Sequence, residues 1–364
     1  MHPRWDCDWV WGVKLRSWRF DLKLTHRWAI ARSVQAGSGG SDVFKVVFVE
    51  LIDADGTTGI GEAAPSSRYD ENVDSVLAFL GQVNPERLSF DDLPGAMNYL
   101  DGIAPGDFAA KGALNLALVD GAARRVGRPV YDHLGLGFRE NKHVTCFSIG
   151  IDKPEVIRRK VLEAAPYPVL KLKVGGPDDR QNLAALREAA PTKPVRVDAN
   201  EGWKTKESAL EQIEWLAGDG RIQFVEQPMP ATTATEDWTW LKERSPLPIM
   251  ADESYRNAGD IGRCAGCFHA VNVKLVKCGG ITAAREALET ARRAGLKTML
   301  GCMIESSALI SAAAHLAELT DYLDLDGNLL ITNDPYAGAA SEKGIISFAT
   351  APEKTGLRVR ARSA

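Results

Sequence analysis

Residues 169–176 read Val-Leu-Lys-Leu-Lys-Val-Gly-Gly, a short apolar run carrying Lys171 and Lys173. Side chains alternate faces along a strand, so the two lysines share one face. Lysine is seldom fully buried without a partner or a task, and two such amines side by side disfavour each other's charge. Taken alone, a KxK strand reads as a solvated surface. The chain that follows reverses that reading.

From this strand onward, apolar runs end repeatedly in a polar or acidic residue. VRVDAN ends at Asp198, IQFVEQP at Glu226 and PIMADES at Asp252; VNVKLVKCGG carries Lys274, TMLGCMIES passes Gly301 and Glu305, and YLDLDG reaches Asp324 and Asp326. The spacing is about 22 to 28 residues, one strand–loop–helix–loop unit. Helical patterns fill the gaps at 178–190, 206–217, 282–294 and 306–319. This alternation predicts an α/β chain closing into a (β/α) barrel, whose chemistry sits at the carboxyl ends of the strands.

The 364 residues suffice for such a barrel plus a smaller domain. A formal net charge of −4 without long runs of one sign offers nothing to a nucleic acid or a membrane surface. No apolar stretch is long enough to span a bilayer, and MHPRWDCDWVWG lacks the apolar centre of a signal peptide, so a cytoplasmic location is expected. The six cysteines, Cys7, Cys146, Cys264, Cys267, Cys278 and Cys302, are scattered and suit a reducing compartment. Cys264 and Cys267 have no second ligand pair to complete a zinc site.

Ahead of the barrel, residues 14–24 alternate as a strand, and residues 43–52 and 59–63 form two more across a turn at 53–57. Gly59-Ile-Gly61 lacks the third glycine and the following helix of a nucleotide loop. Helices are expected at 71–80 and 107–126, the second capped by Asp107. This α+β portion is assigned to residues 1–140, the barrel to 141–326, and a segment returning to the first domain to 327–364. Within the first domain, residues 25–41, with Arg27 and Arg32, read as a mobile flap over the site.

Asp198, Glu226 and Asp252 end three consecutive strands. Neighbouring strands lie about 4.8 Å apart, so these carboxylates converge and need a compensating cation. Oxygen ligands alone favour a hard ion such as Mg²⁺. Lys173 on strand two and Lys274 on strand six then face each other across the metal strands. That is the arrangement for removing a proton from one face of a carboxylate substrate's α-carbon and returning one to the other, through an enediolate. Mg²⁺ and a second amine, Lys171 in the case of Lys173, are expected to lower the lysine pKa values. Lys277 competes with Lys274 but falls in the turn.

In this order and spacing, KLK, VDAN, EQP, ADES and NVKLVKCGG resemble the enolase superfamily, muconate lactonizing subgroup, over nearly the whole chain. Lysine bases with Mg²⁺ are a known device of that superfamily. The resemblance implies a capping domain, a (β/α)7β modified TIM barrel, Lys173 and Lys274 as the acid/base pair assisted by Lys171, and Mg²⁺ on Asp198, Glu226 and Asp252. Asp324-Leu-Asp326 resembles the dipeptide epimerase signature, with two carboxylates suited to a free α-ammonium group. HRWAIARSV resembles the flap of those enzymes, with Arg32 where L-Ala-D/L-Glu members hold an acidic side chain. Ser148 and Met303 are expected to line the pocket. The expectation is therefore a homo-oligomeric dipeptide epimerase with L-Ala-D/L-Glu, a cell-wall fragment, as the leading substrate. The alternatives are a muconate-type cycloisomerase, an o-succinylbenzoate synthase, an N-acylamino acid racemase or, from another class, a Schiff-base lyase.

Overall fold

A computed structural model describes residues 13–363; the first twelve residues, with Cys7 and the stretch read for a signal peptide, and Ala364 lie outside it. Three strands, β1 (Lys14–Trp28), β2 (Ser41–Ile52) and β3 (Thr58–Ala63), pair antiparallel in that order. A one-turn helix, α1 (Ala31–Gln35), sits at the tip between β1 and β2. Then come α2 (Val73–Leu80), α3 (Leu93–Ile103), α4 (Phe108–Arg125) and the short α5 (Val130–His133). The sheet packs on α4 at close range: a Cβ on Gly59 or Gly61 would lie 1.9 Å from the carbonyl oxygen of Ala117 or Ala113. The two glycines of the GIG motif thus serve helix–sheet contact.

Three local expectations for this domain are corrected. Residues 25–28 belong to β1, because Trp28 pairs with Ser41 across a bulge. The hairpin tip is a helical turn, and Gln35 Nε2 anchors it by donating to the carbonyls of Gly175 and Gly202. Asp107 precedes α4 with a left-handed φ of 50° and no side-chain cap. Glu71, from before α2, accepts from Ala109 N instead, at 3.2 Å. Helix α3 carries no clear sequence signal because Pro94 and Gly95 open it, yet proline suits a first turn and Asp92 caps Gly95 N at 2.9 Å.

A two-residue strand, β4 (His143–Val144), leads into the eight-stranded parallel sheet: β5 (Phe147–Ile149), β6 (Leu170–Lys173), β7 (Val195–Asp198), β8 (Ile222–Glu226), β9 (Ile249–Ala251), β10 (Ala270–Lys274), β11 (Lys297–Gly301) and β12 (Tyr322–Asp324), neighbours in chain order. A parallel bridge between Thr145 and Leu323 closes the ring between β12 and β5. Helices α6 (Pro154–Glu163), α7 (Asp179–Ala189), α8 (Lys206–Ala217), α9 (Thr235–Arg244), α10 (Ile261–Cys267), α11 (Leu275–Cys278), α12 (Ile281–Arg293) and α13 (Ser307–Ala314) follow the strands. This is a modified TIM barrel with an N-terminal capping domain.

Alternation along β6 sorts the chain. Leu170 and Leu172 join the core shared with Ile157, Val161 and Leu186, while Lys171 and Lys173 take the other face, into the barrel. The barrel floor is filled by Phe224, Met250, Ala270 and Met299, with Tyr322 against them. Arg196 caps this floor by stacking on Tyr322 and Phe224, its guanidinium carbon 5.1 and 5.7 Å from the ring centres. Polar chemistry is thereby displaced to the carboxyl ends of the strands. After β12, β13 (Tyr336–Ala337) pairs with β15 (Arg360–Ala361), and β14 (Ile345–Ile346) pairs with β4. Thr332 N bonds to Lys23 O at 2.8 Å, and Leu357 N to Asp120 of α4 at 2.7 Å, so this segment lies on the capping domain.

Candidate active site

The parallel register aligns Lys173 with Asp198 and Asp198 with Glu226, across β6, β7 and β8. Asp252 directly follows β9. One oxygen from each of Asp198, Glu226 and Asp252 lies within 4.8 Å of the others, and all three side chains are buried. Burial, and next the charge of Asp198, push the Glu226 carboxyl up to about 8. For Asp252, burial is outweighed by the ammonium groups of Lys274 and Lys277, which hold it well below the usual carboxylate range. Glu226 Oε2 is buried and accepts no hydrogen bond; Lys171 Nζ approaches it to 2.7 Å without the alignment of one. Three converging carboxylates, one with an oxygen lacking a donor, fit a hard divalent cation.

Lys173 Nζ donates to Asp198 Oδ2 at 2.6 Å, and Lys274 Nζ to Asp252 Oδ2 at 2.9 Å. They rise from the second and sixth strands of the ring, with the carboxylate strands between them. Both line a cavity of about 430 Å³ beneath the capping domain. Lys171, 1% exposed, lies 2.6 Å from Asp324, 2.7 Å from Glu226 and 3.1 Å from Asp198. Touching carboxylates of strands three, four and eight, it crosses the middle of the ring.

Lys277 does not reach the cavity. It is enclosed by Asp252 Oδ1 at 2.6 Å and by the carbonyls of Asp252, Asn272 and Tyr255 at 2.6, 2.9 and 3.0 Å. It steadies the Asp252 carboxylate that Lys274 also touches. The expected lowering of lysine pKa values does not come from the protein's own groups. Burial acts in that direction on Lys274 and Lys171, but Asp252 on the first and Asp324, Glu226 and Asp198 on the second outweigh it and hold both well above the ordinary lysine range. Lowering them requires a cation that takes up those carboxylates.

Asp324 and Asp326 both line the cavity, in unequal circumstances. Asp324 is engaged by Lys171 and by the Cys146 thiol at 3.0 Å. Burial works against its charge, but Lys171 and Lys173 keep it ionised, below the usual range. Asp326 accepts from Ser148 N at 2.6 Å and has no cationic partner in hydrogen-bond contact among the described residues. Burial and the charge of Asp324 raise it to about 6. Ser148 therefore offers its backbone N–H to Asp326, and both Ser148 and Met303 line the cavity.

Arg32, from the hairpin tip, also lines the cavity but is already paired. Its Nη1 donates to Glu201 Oε2 at 3.0 Å, to Asn200 O at 3.4 Å and to Glu253. Arg68 forks onto Glu201 from the loop after β3, with both contacts at 2.7 Å. Sequence reading assigned no role to Glu201, Glu253, Arg68 or Tyr69. Glu253 stands inside the quoted ADES stretch and Glu201 directly follows VDAN, so a signal was available; SSRYD carries none.

These features describe an acid/base barrel enzyme built to hold a divalent cation. Residues 156–356 match the enolase C-terminal domain-like family, and residues 21–135 match the mandelate racemase/muconate lactonizing enzyme N-terminal domain. The chain belongs to the enolase superfamily, in its mandelate racemase/muconate lactonizing branch. An L-Ala-D/L-amino acid epimerase of Pedosphaera parvula (strain Ellin514) is 64% identical over 350 residues, 96% of this chain and 100% of the relative. An L-Ala-D/L-Glu epimerase of Bacteroides thetaiotaomicron is 38% identical over 342 residues, 93% of this chain and 86% of the relative. The crystal structure of a dipeptide epimerase from Cytophaga hutchinsonii, with Mg and D-Ala-L-Val, matches with a TM-score of 0.87 at 29% identity, covering 96% of each chain.

Proposed function

We propose that this chain is a Mg²⁺-dependent dipeptide epimerase that inverts the α-carbon of the C-terminal residue by 1,1-proton transfer. One observation carries the reading. Two lysines on opposite walls flank a three-carboxylate cation site, and on the remaining side stands an aspartate pair suited to an ammonium group. The functions of the similar epimerases support it.

Asp198, Glu226 and Asp252 would hold the cation, which when bound supplies the positive charge that acidifies the α-proton of a carboxylate substrate. Lys173 and Lys274 hold the two proton positions: one removes the proton from its face of the α-carbon, and the other delivers one to the opposite face. Lys171 ties Asp324 to the carboxylates of strands three and four, fixing the distance between the two ends of the substrate site. Asp326, with Asp324 beside it, receives the α-ammonium group of the first residue. That contact separates a dipeptide from N-acylated substrates, which carry no such charge.

The test is a dipeptide library incubated with the enzyme and Mg²⁺ in D₂O, with mass spectrometry reading which members gain one deuteron. Dipeptides with free amino termini are expected to be labelled, and chelation by EDTA to abolish labelling. If every dipeptide stays unlabelled, the assignment is wrong.

A further inference from the structure

Proton removal leaves an α-carbon whose three remaining substituents lie in one plane, across the line joining the two amines. This geometry follows from the epimerase reading above. Two of those substituents have places: the carboxylate at Asp198, Glu226 and Asp252, and the peptide nitrogen on the side of Asp324 and Asp326. The third, the side chain of the inverted residue, cannot point down, because Phe224, Met250, Ala270 and Met299 fill the floor. It points out of the barrel mouth, at the roof formed by the hairpin tip and the loop after β3, where Trp28, Ile30, Arg32 and Tyr69 line the cavity.

Arg32 gives this roof its positive charge, and the structure neutralises it. Glu201, 5% exposed, takes Arg32 Nη1 at 3.0 Å, Arg68 Nε and Nη2 both at 2.7 Å, and Ala231 N at 2.8 Å. Glu253, 4% exposed, takes the same Arg32 nitrogen from the other side. Two guanidinium groups and two carboxylates sum to zero, and the rest of this part of the lining is uncharged, with Trp28, Ile30, Tyr69 and Ile304 beside the hydroxyls of Ser33 and Ser66.

We propose that Glu201 is a specificity-determining residue: by pairing with both Arg32 and Arg68 it keeps the roof neutral. The site then accepts uncharged side chains at the C-terminal position and gives acidic ones no advantage. This departs from the simple use of Arg32 as an anchor for a glutamate side chain. An arginine shared between two carboxylates offers little attraction to a third.

L-Ala-L-Glu and L-Ala-L-Gln, nearly equal in shape, isolate the charge. In the wild type, kcat/KM for the glutamate peptide is expected to be no greater than for the glutamine peptide. Glu201→Gln, which removes one negative charge and little volume, is expected to raise the Glu/Gln ratio about tenfold, the scale of one unpaired charge acting across several ångström of partly screened medium. The rise should shrink with added salt, and Glu201→Asp should restore the wild-type ratio. A wild type that prefers glutamate tenfold or more overturns the proposal, as does an active Glu201→Gln with an unchanged ratio. Should Glu201→Gln fail to fold, the wild-type ratio still decides. Failure of the epimerase reading looks different: the wild type would label neither peptide in D₂O.

Discussion

Replacing Glu62 by glutamine tests how the capping domain holds the pocket. Glu62 lies on β3, fully buried, and accepts from Ser306 N at 2.9 Å, from the Ser306 hydroxyl and from Leu309 N at 3.2 Å. Those groups open α13, immediately after the Cys302–Met303–Ile304 stretch that lines the cavity. Burial raises the Glu62 carboxyl from 4.5 to about 7, although the bonds from Ser306 pull the other way. At 1.36 kcal/mol per pKa unit, that shift corresponds to about 3 kcal/mol. The sign follows from proton counts. Between about pH 4.5 and 7 the folded chain keeps a proton that the unfolded chain has released, so stability from this group is present at low pH and is lost as pH rises through that window. Glu62→Gln has nothing to titrate there. Urea denaturation at pH 5 and pH 8 is therefore expected to show the variant gaining about 2 to 3 kcal/mol on the wild type at the higher pH. Parallel pH profiles for the two proteins would refute the reasoning.

Asp326→Asn is expected to raise KM for dipeptides tenfold or more while leaving kcat less affected, because it weakens a charge-assisted contact away from the reacting carbon; an unchanged KM would remove Asp326 from the ammonium site. Lys277→Met breaks a buried ion pair with Asp252 and removes a donor from three carbonyls, so a loss of about 3 to 5 kcal/mol is expected in denaturant titration. A variant as stable as the wild type would show that Lys277 is not what holds Asp252. Mg²⁺ at a hundredfold excess over its Kd should stabilise the wild type by about 2.7 kcal/mol and Glu226→Gln by much less, read as a shift in thermal midpoint; equal shifts would place the ion elsewhere.

The barrel was legible because two periodicities coincide: alternation within each strand, and the repeat of a polar residue at each strand end. Lys171, Lys173, Asp198, Glu226, Asp252 and Lys274 could be placed relative to one another from strand order alone, since the order of a parallel barrel is that of the chain. What escaped depends on contacts between loops, which carry no period. The cap on α4 comes from Glu71 and not from the adjacent Asp107, which takes a left-handed backbone in place of the extended one of a capping residue and makes no side-chain cap bond. Lys277 and Lys274 differ by three residues and look alike in sequence; Lys274 ends β10 and faces the cavity, whereas the single helical turn α11 that follows sends Lys277 into carbonyls. The pairing of Arg32 joins residues 169 and 221 positions apart, so no local pattern announces it.

The most direct check of the two-lysine arrangement uses Lys173→Ala and Lys274→Ala with the L,L and L,D forms of one dipeptide in D₂O with Mg²⁺. Each variant is expected to lose epimerisation, with one retaining α-deuterium exchange only on the L,L form and the other only on the L,D form, because a single amine serves a single face. Continued epimerisation by either variant, or exchange by both on the same form, would contradict the placement of the two amines on opposite faces of the substrate.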